Sequence, residues 1–179
     1  AAVQNGADCV YFGGSSFNAR AQATNFDETS LVEAILYAKL RNVKVNLTLN
    51  TLLKENELED AVNLAVFAYN CGVDAIIIQD LGLATILHNN YPEIVLHAST
   101  QMTVHNLAGV KQLENLGFQR VVLSRELSFE EIDYIRKNTD VELEVFIHGA
   151  LCISYSGQCL FSSMVGNRSG NRGMCAQPC

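Results

Sequence analysis

The chain of 179 residues contains no tryptophan and only two prolines, and no apolar run in it is long enough to cross a bilayer. No part of these 179 residues is therefore expected to cross a membrane as a helix. The scarcity of proline leaves no Pro-rich linker along which to divide the chain. Basic residues are few: 12 Lys and Arg stand against 19 Asp and Glu, a formal net charge of -7 with pI ≈ 5.0. Such a balance argues against a surface that binds nucleic-acid phosphates everywhere, though not against a local basic patch. There is no GxGxxG after the first apolar strand, no GxSxG and no HExxH. Their absence removes support for a dinucleotide fold, a serine-hydrolase elbow and a zincin helix. No secretory signal is present, so the compartment expected is the cytoplasm. The chain also lacks an initiator methionine and stops inside a cysteine motif, so a piece of a longer protein is expected.

What the chain does have is a concentration of sulfur. Four of the six cysteines, Cys152, Cys159, Cys175 and Cys179, lie in HGALCISYSGQC and NRGMCAQPC, with spacings of six, fifteen and three residues. A cysteine cluster in a cytosolic α/β chain is more often a metal or catalytic site than a disulfide framework. Four thiolates suit either a tetrahedral zinc or an iron–sulfur cluster. Cys9 and Cys71 sit among apolar neighbours and read as small hydrophobes.

Apolar, β-branched runs alternate with helical patterns. The strands expected are Cys9 to Gly13, Val43 to Asn50, Asp74 to Asp80, Ile94 to Thr100, Arg120 to Leu127 and Glu142 to Gly149. Helices are expected over Glu28 to Arg41, Glu55 to Cys71, Leu81 to Asn89, His105 to Leu116 and Phe129 to Asn138, with Asp27 and Ser128 as N-caps. The class is α/β, a parallel sheet covered on both faces: a TIM-barrel-like (β/α) fold, incomplete in this chain, or else an open doubly wound sheet, over residues 1–149, followed by a cysteine-rich segment over residues 150–179. Polar residues gather at the strands' carboxyl ends, among them Asn50, Gln79, His97, Ser99, Ser124, Arg125, Glu144 and His148. In a barrel those ends meet at one mouth, where active sites lie.

EVFIHGALCISYSGQCLFS (Glu144 to Ser162), GNRSGNRGMCAQPC, ADCVYFGG, LHASTQ and VVLSREL together resemble the collagenase-like peptidase family, the thirty-second of the unassigned peptidase families, along essentially the whole chain. The resemblance implies a TIM-barrel-like domain. It also implies that Cys152, Cys159 and Cys175 match ligands of a [4Fe–4S] cluster, completed by Cys179 or by a cysteine farther along. YFGGSSFNAR, NLTLNTLL and NRGMCAQPC look most like the branch that hydroxylates a cytidine of ribosomal RNA, with the tRNA uridine branch close behind. That likeness implies RNA as partner and prephenate as hydroxyl donor. Difficult redox steps belong to cofactors, and a cluster accounts for four cysteines at once. Arg20, Arg125, Arg168 and Arg172 are the candidates to hold a small anionic donor. His148, Glu144 and His97 are the candidates to move protons. Two other readings stay open: a peptidase using the local pair Cys152 and His148, and a zinc-stabilised binding module.

Overall fold

The computed structural model describes residues 1–21, Ala23 and residues 25–179. Six strands, Cys9–Gly13 (β1), Lys44–Leu49 (β2), Ala75–Ile78 (β3), Leu96–Ala98 (β4), Arg120–Val122 (β5) and Glu142–Glu144 (β6), pair in parallel in the order of the sequence. Between them run helices Glu28–Lys39 (α1), Leu58–Asn70 (α2), Leu81–Asn90 (α3), Leu107–Asn115 (α4) and Phe129–Lys137 (α5). A parallel crossover is right-handed almost without exception. Strands in sequential order therefore place every crossover helix on the same side, and the sheet curls into a half-barrel.

Side chains along a strand alternate between faces, and here the two faces differ in chemistry. Val45, Leu47, Leu49, Ile76, Ile78, Leu96, Ala98, Val121 and Leu123 form one core with Leu31, Ile35, Ala61, Ala65, Leu83, Leu87 and Val110 from the helices. The alternate residues, including Asn46, Thr48, Ile77, Gln79, His97 and Ser99, are buried too, yet they point to the concave side. The crossover helices cover one face only, because a run of crossovers of one hand never crosses to the second face; the concave face is buried without them.

The helices start where short polar side chains can accept from free backbone amides. Asp27 accepts from Ser30 N at 2.8 Å, Asp80 from Leu83 N at 3.0 Å and Asn106 from Gly109 N at 2.9 Å. Ser128 and Glu131 exchange bonds as a capping box. Strand ends depart more from expectation. β4 stops at Ala98 because Thr100–Met102 coils into a turn of 3-10 helix. Asp80 leaves β3 to cap α3.

The largest correction concerns β6, which ends at Glu144 instead of Gly149. Its neighbour β5 stops at Val122, and the ladder closes with Leu123 N on the Glu144 carbonyl at 2.9 Å. Beyond that bond the chain has no strand to pair with. A short helix, Phe161–Gly166 (α6), lies unexpectedly inside the cysteine-rich segment. Among the described residues no helix is long and apolar enough to cross a membrane.

The two faces are expected to answer mutation differently. Leu47→Ala, on the helix side, should lose about 2–5 kcal/mol, whereas Thr48→Ala, one residue on but facing the concavity, removes only a methyl and a hydroxyl beside the cavity and should lose about 1 kcal/mol. Urea unfolding of both variants checks this; equal losses would contradict the assignment of faces.

Candidate functional site

Residues 150–176 lie across the carboxyl ends of the strands, fastened there by loops from four of them. Arg125, just past β5, donates to the carbonyls of Cys152 (2.6 Å) and Ser154 (2.8 Å) and to Ser156 Oγ (3.0 Å). After β4, Thr103 Oγ1 donates to the Ser156 carbonyl at 2.7 Å and accepts from Gln158 Nε2 at 3.1 Å. After β2, Arg172 grips Glu57 with two donors at 2.5 and 3.0 Å and also reaches the Leu52 carbonyl at 2.8 Å. That grip, and then the Lys54 backbone amide, hold the Glu57 carboxyl below the usual carboxylate range.

Two glycines set how closely this cap sits. A Cβ on Gly157 would lie 2.2 Å from the Gln101 carbonyl oxygen, and one on Gly173 would lie 2.2 Å from that of Asn18, in the loop after β1. Both also have left-handed backbones, at φ +77 and +76. Backbone against backbone at that distance leaves room for hydrogen only.

The sequence-derived candidates fall into three groups. Cys152, Cys159, Cys175 and Cys179 are free thiols, the first three on the cap and Cys179 just beyond it, and all are exposed apart from the half-buried Cys159. Gly170 brings two of them together, because a Cβ there would sit 3.6 Å from Cys175 Cβ and 3.8 Å from the Cys159 carbonyl. Cys175 Sγ accepts from Gln177 N at 3.4 Å. Among the described residues no three His, Cys, Asp or Glu side chains are grouped closely enough to hold a metal ion. The donor set therefore suits a thiolate-bound metal in kind and in its place on one cap, and its four sulfurs have still to be drawn together. Of the other two cysteines, Cys71 packs against the core, while Cys9 is exposed on β1 and not the buried hydrophobe expected.

The arginines form the second group. Arg125 and Arg172 direct their donors to the cap and its anchor, and Arg168 Nε donates to the Met174 carbonyl at 3.1 Å within the cap. Arg20 is exposed in the loop after β1. The proton-handling candidates form the third. Glu144 and His148 do not share a strand face: Glu144 closes β6 and pairs with Arg120 at 3.1 Å, whereas His148 lies exposed in a bend past the end of the strand. The reason is again that β5 offers β6 no partner beyond Val122.

His97 is 6% exposed on the concave face, in register with Ile77 and Arg120. Among the described residues its Nδ1 has no partner, and neither do Gln79 Oε1 just past the preceding strand and Ser124 Oγ after the following one. Burial first, and then the Arg120 charge, push the His97 imidazole down to about 4, so it is neutral at pH 7. Arg120 itself was not legible as a site residue. It donates to Glu142 at 2.6 and 2.9 Å and to Glu144, so one guanidinium faces two carboxylates on the concave wall. The alternating ELE that opens β6 was the only trace of it in the sequence. Tyr11 and Phe146 were also missed; they border a small cavity on this same face.

The fold and site define a class: a parallel β/α half-barrel whose carboxyl mouth is capped by a segment bearing four free thiols. The family model of Peptidase family U32 matches residues 1–179, and the chain belongs to that family. It is 45% identical over 178 residues to the 23S rRNA 5-hydroxycytidine C2501 synthase of Escherichia coli, covering 99% of this chain and 27% of that protein. It is 37% identical over 175 residues to the tRNA hydroxylation protein P of the same organism, covering 97% of this chain and 39% of that one. The chain therefore spans well under half the length of these two relatives. The solved structure of the U32 peptidase Mk0906 superposes with a TM-score of 0.66 over 82% of this chain and 62% of its own, at 19% identity, which is a likeness of fold.

Two outcomes follow from the geometry. His97 is protonated more readily in the unfolded chain, at about 6.5, than in the folded one, at about 4. Stability should thus be complete above pH 6.5 and fall as the pH drops from 6.5 to 4, by up to about 3 kcal/mol. His97→Gln should flatten that slope in denaturant titrations across the range. Arg125→Ala should leave three acceptors of the cap unbonded and speed amide exchange over residues 152–158 on the order of tenfold, with the exchange of β2 and β3 unchanged.

Proposed function

We propose that this chain is part of an iron–sulfur-dependent, oxygen-independent hydroxylase that places a hydroxyl group on an RNA pyrimidine, with prephenate as donor. The base modified would be a cytidine of ribosomal RNA or a uridine of tRNA. The observation that carries the reading is the four-thiol cap seated on the mouth of the half-barrel, in a chain 45% identical to a 5-hydroxycytidine synthase. Hydroxylation of an aromatic base needs redox chemistry that side chains do not supply. A [4Fe–4S] cluster held by Cys152, Cys159 and Cys175, with Cys179 or a later cysteine as fourth ligand, would bring electron transfer or an open iron coordination position to that place. Binding of metal by thiolates is coupled to ordering of the chain that carries them, which accords with a cap anchored at its ends and exposed at its sulfurs.

The residues around the cap have roles of their own in this reading. Arg125 fixes the Cys152 loop over β5, and Arg172 fixes the far arm against Glu57. His97, neutral at pH 7 and unpartnered at Nδ1, is a proton acceptor or donor on the concave wall. With Arg125, Arg168 and Arg172 engaged in the cap, Arg20 is the remaining candidate for a carboxylate of the donor.

The intact protein, purified without oxygen, is expected to be brown, to hold about four irons and matching sulfide, and to convert RNA pyrimidines to their 5-hydroxy forms when given prephenate. Cys159→Ala should remove both the colour and the activity. A colourless protein with one zinc and no RNA product would leave a binding module. Cleavage of gelatin that is lost on thiol alkylation and independent of iron would establish the peptidase reading instead.

A further inference from the structure

One backbone position at the mouth departs from the chain's own habit. Three helical turns end on the left-handed residues Gly6, Asn167 and Gly173, types that take this conformation at little cost. The turn after β4, Thr100–Met102, ends instead on Thr103, at φ 59 and ψ 48. Among the described residues it is the one β-branched side chain in the left-handed region, where branching at Cβ makes a residue an outlier. Such a conformation persists only where the surroundings over-determine it. Here the sheet clamps both sides. Before Thr103, Gln79 Nε2 donates to the Gln101 carbonyl at 3.3 Å and Thr100 Oγ1 to the Leu123 carbonyl at 3.2 Å. After it, Ser124 N donates to the Val104 carbonyl at 3.0 Å. The side chain so presented is a hydroxyl, which donates to the Ser156 carbonyl at 2.7 Å and accepts from Gln158 Nε2 at 3.1 Å. The Gln101 carbonyl is a more distant acceptor for it, at 3.3 Å. The neighbouring cap residues meet the same turn: Gly157 lies against the Gln101 carbonyl, and the Tyr155 ring sits 5.4 Å from that of His105.

We propose that Thr103 is a positioning residue, kept in a strained backbone because its hydroxyl fixes the approach to Cys159. The purpose, though not the fastening, rests on the reading of the cap as the holder of a metal centre. Glycine is the residue the backbone favours at this point, and it would bring no side chain to bond the cap. Arg125 already holds the Cys152 side of the stretch, through the Cys152 and Ser154 carbonyls. Thr103 holds the other side, at Ser156 and at Gln158, the residue directly before Cys159. Cys159 is also the half-buried thiol of the four. Two short bonds from a clamped turn thus set where one sulfur enters the cap, before any metal draws the others in. Strain of this sort lowers the stability of the scaffold and raises the order of the segment it serves. Stability and cap order should therefore respond to substitution here with opposite signs, which a residue that merely packs would not show.

Amide exchange and thermal melting of the intact protein test this together. Thr103→Ala and Thr103→Gly should each speed exchange over residues 155–158 on the order of tenfold. Thr103→Ser, which keeps the hydroxyl, should stay within about twofold of the parent. The glycine variant should nevertheless melt about 2 °C above the alanine variant, since it alone is free of the strain. A ferrous chelator should strip iron from the alanine and glycine variants on the order of tenfold faster than from the parent. Exchange over residues 155–158 that is unchanged in both of these variants would overturn the proposal, as would a glycine variant that melts below the alanine one. Iron retained as firmly as in the parent, despite a loosened cap, would overturn the purpose assigned to Thr103. Faster exchange and the expected melting order, in a protein that binds no iron, would keep Thr103 as a fastener and sink the metal reading.

Discussion

The alternation of side chains along six parallel strands is the constraint on which everything else rests. With a period of two, a slip of one residue in any strand would put its polar set against the helices and its apolar set into the concavity. β2 shows how sharply the faces are divided: Val45, Leu47 and Leu49 enter the helix-side core, while Asn46 and Thr48 face inward. The register carries that division across the sheet, through Thr48, Ile77, His97 and Arg120. Hydrophobic burial on one face thus fixes the placement of polar chemistry on the other. Roughly 25 cal/mol per Å² of buried apolar surface holds His97 and Gln79 where solvation alone would not.

The cap depends on this frame in turn. It has little apolar core of its own: Ile153, Met164 and Val165 are largely exposed. Its position comes from polar contacts at a few points, chiefly those of Arg125, Thr103 and Arg172, and from two glycines that let backbones touch. Hydrogen bonds to charged groups contribute more than neutral ones, and a bidentate arginine fixes direction as well as distance. Arg125 and Arg172, candidates for substrate binding in the sequence, fasten the cap in the fold.

The sequence was most legible where local physics decides the structure. β1 falls on the residues expected, and Asp27 and Ser128 cap α1 and α5 as their spacing suggested. It was least legible where a distant partner decides. A strand is only as long as its neighbour allows, which is why β6 ends at Glu144 and carries His148 off the sheet. The α6 helix was hidden because FSSMVG reads as the small-residue filling of a cysteine loop; only Phe161, Met164 and Val165, at helical spacing, hinted at it. Nothing local reveals that Arg172 meets Glu57 across 115 residues. Of the site, the bordering aromatics and Arg120 emerged only from strand register.

That separation in sequence has a consequence for how the molecule is made and how it comes apart. The contacts within the half-barrel join neighbouring β/α units and close short loops, whereas the contacts of Arg172 close loops of 115 and 120 residues. The entropy of closing a loop grows with its length, and contacts of high sequence separation form late. The strands and helices should therefore assemble first and the mouth be sealed last. In the native ensemble the same segment should detach and reattach while the sheet beneath it stays folded, so the mouth of the half-barrel would open far more often than the core unfolds.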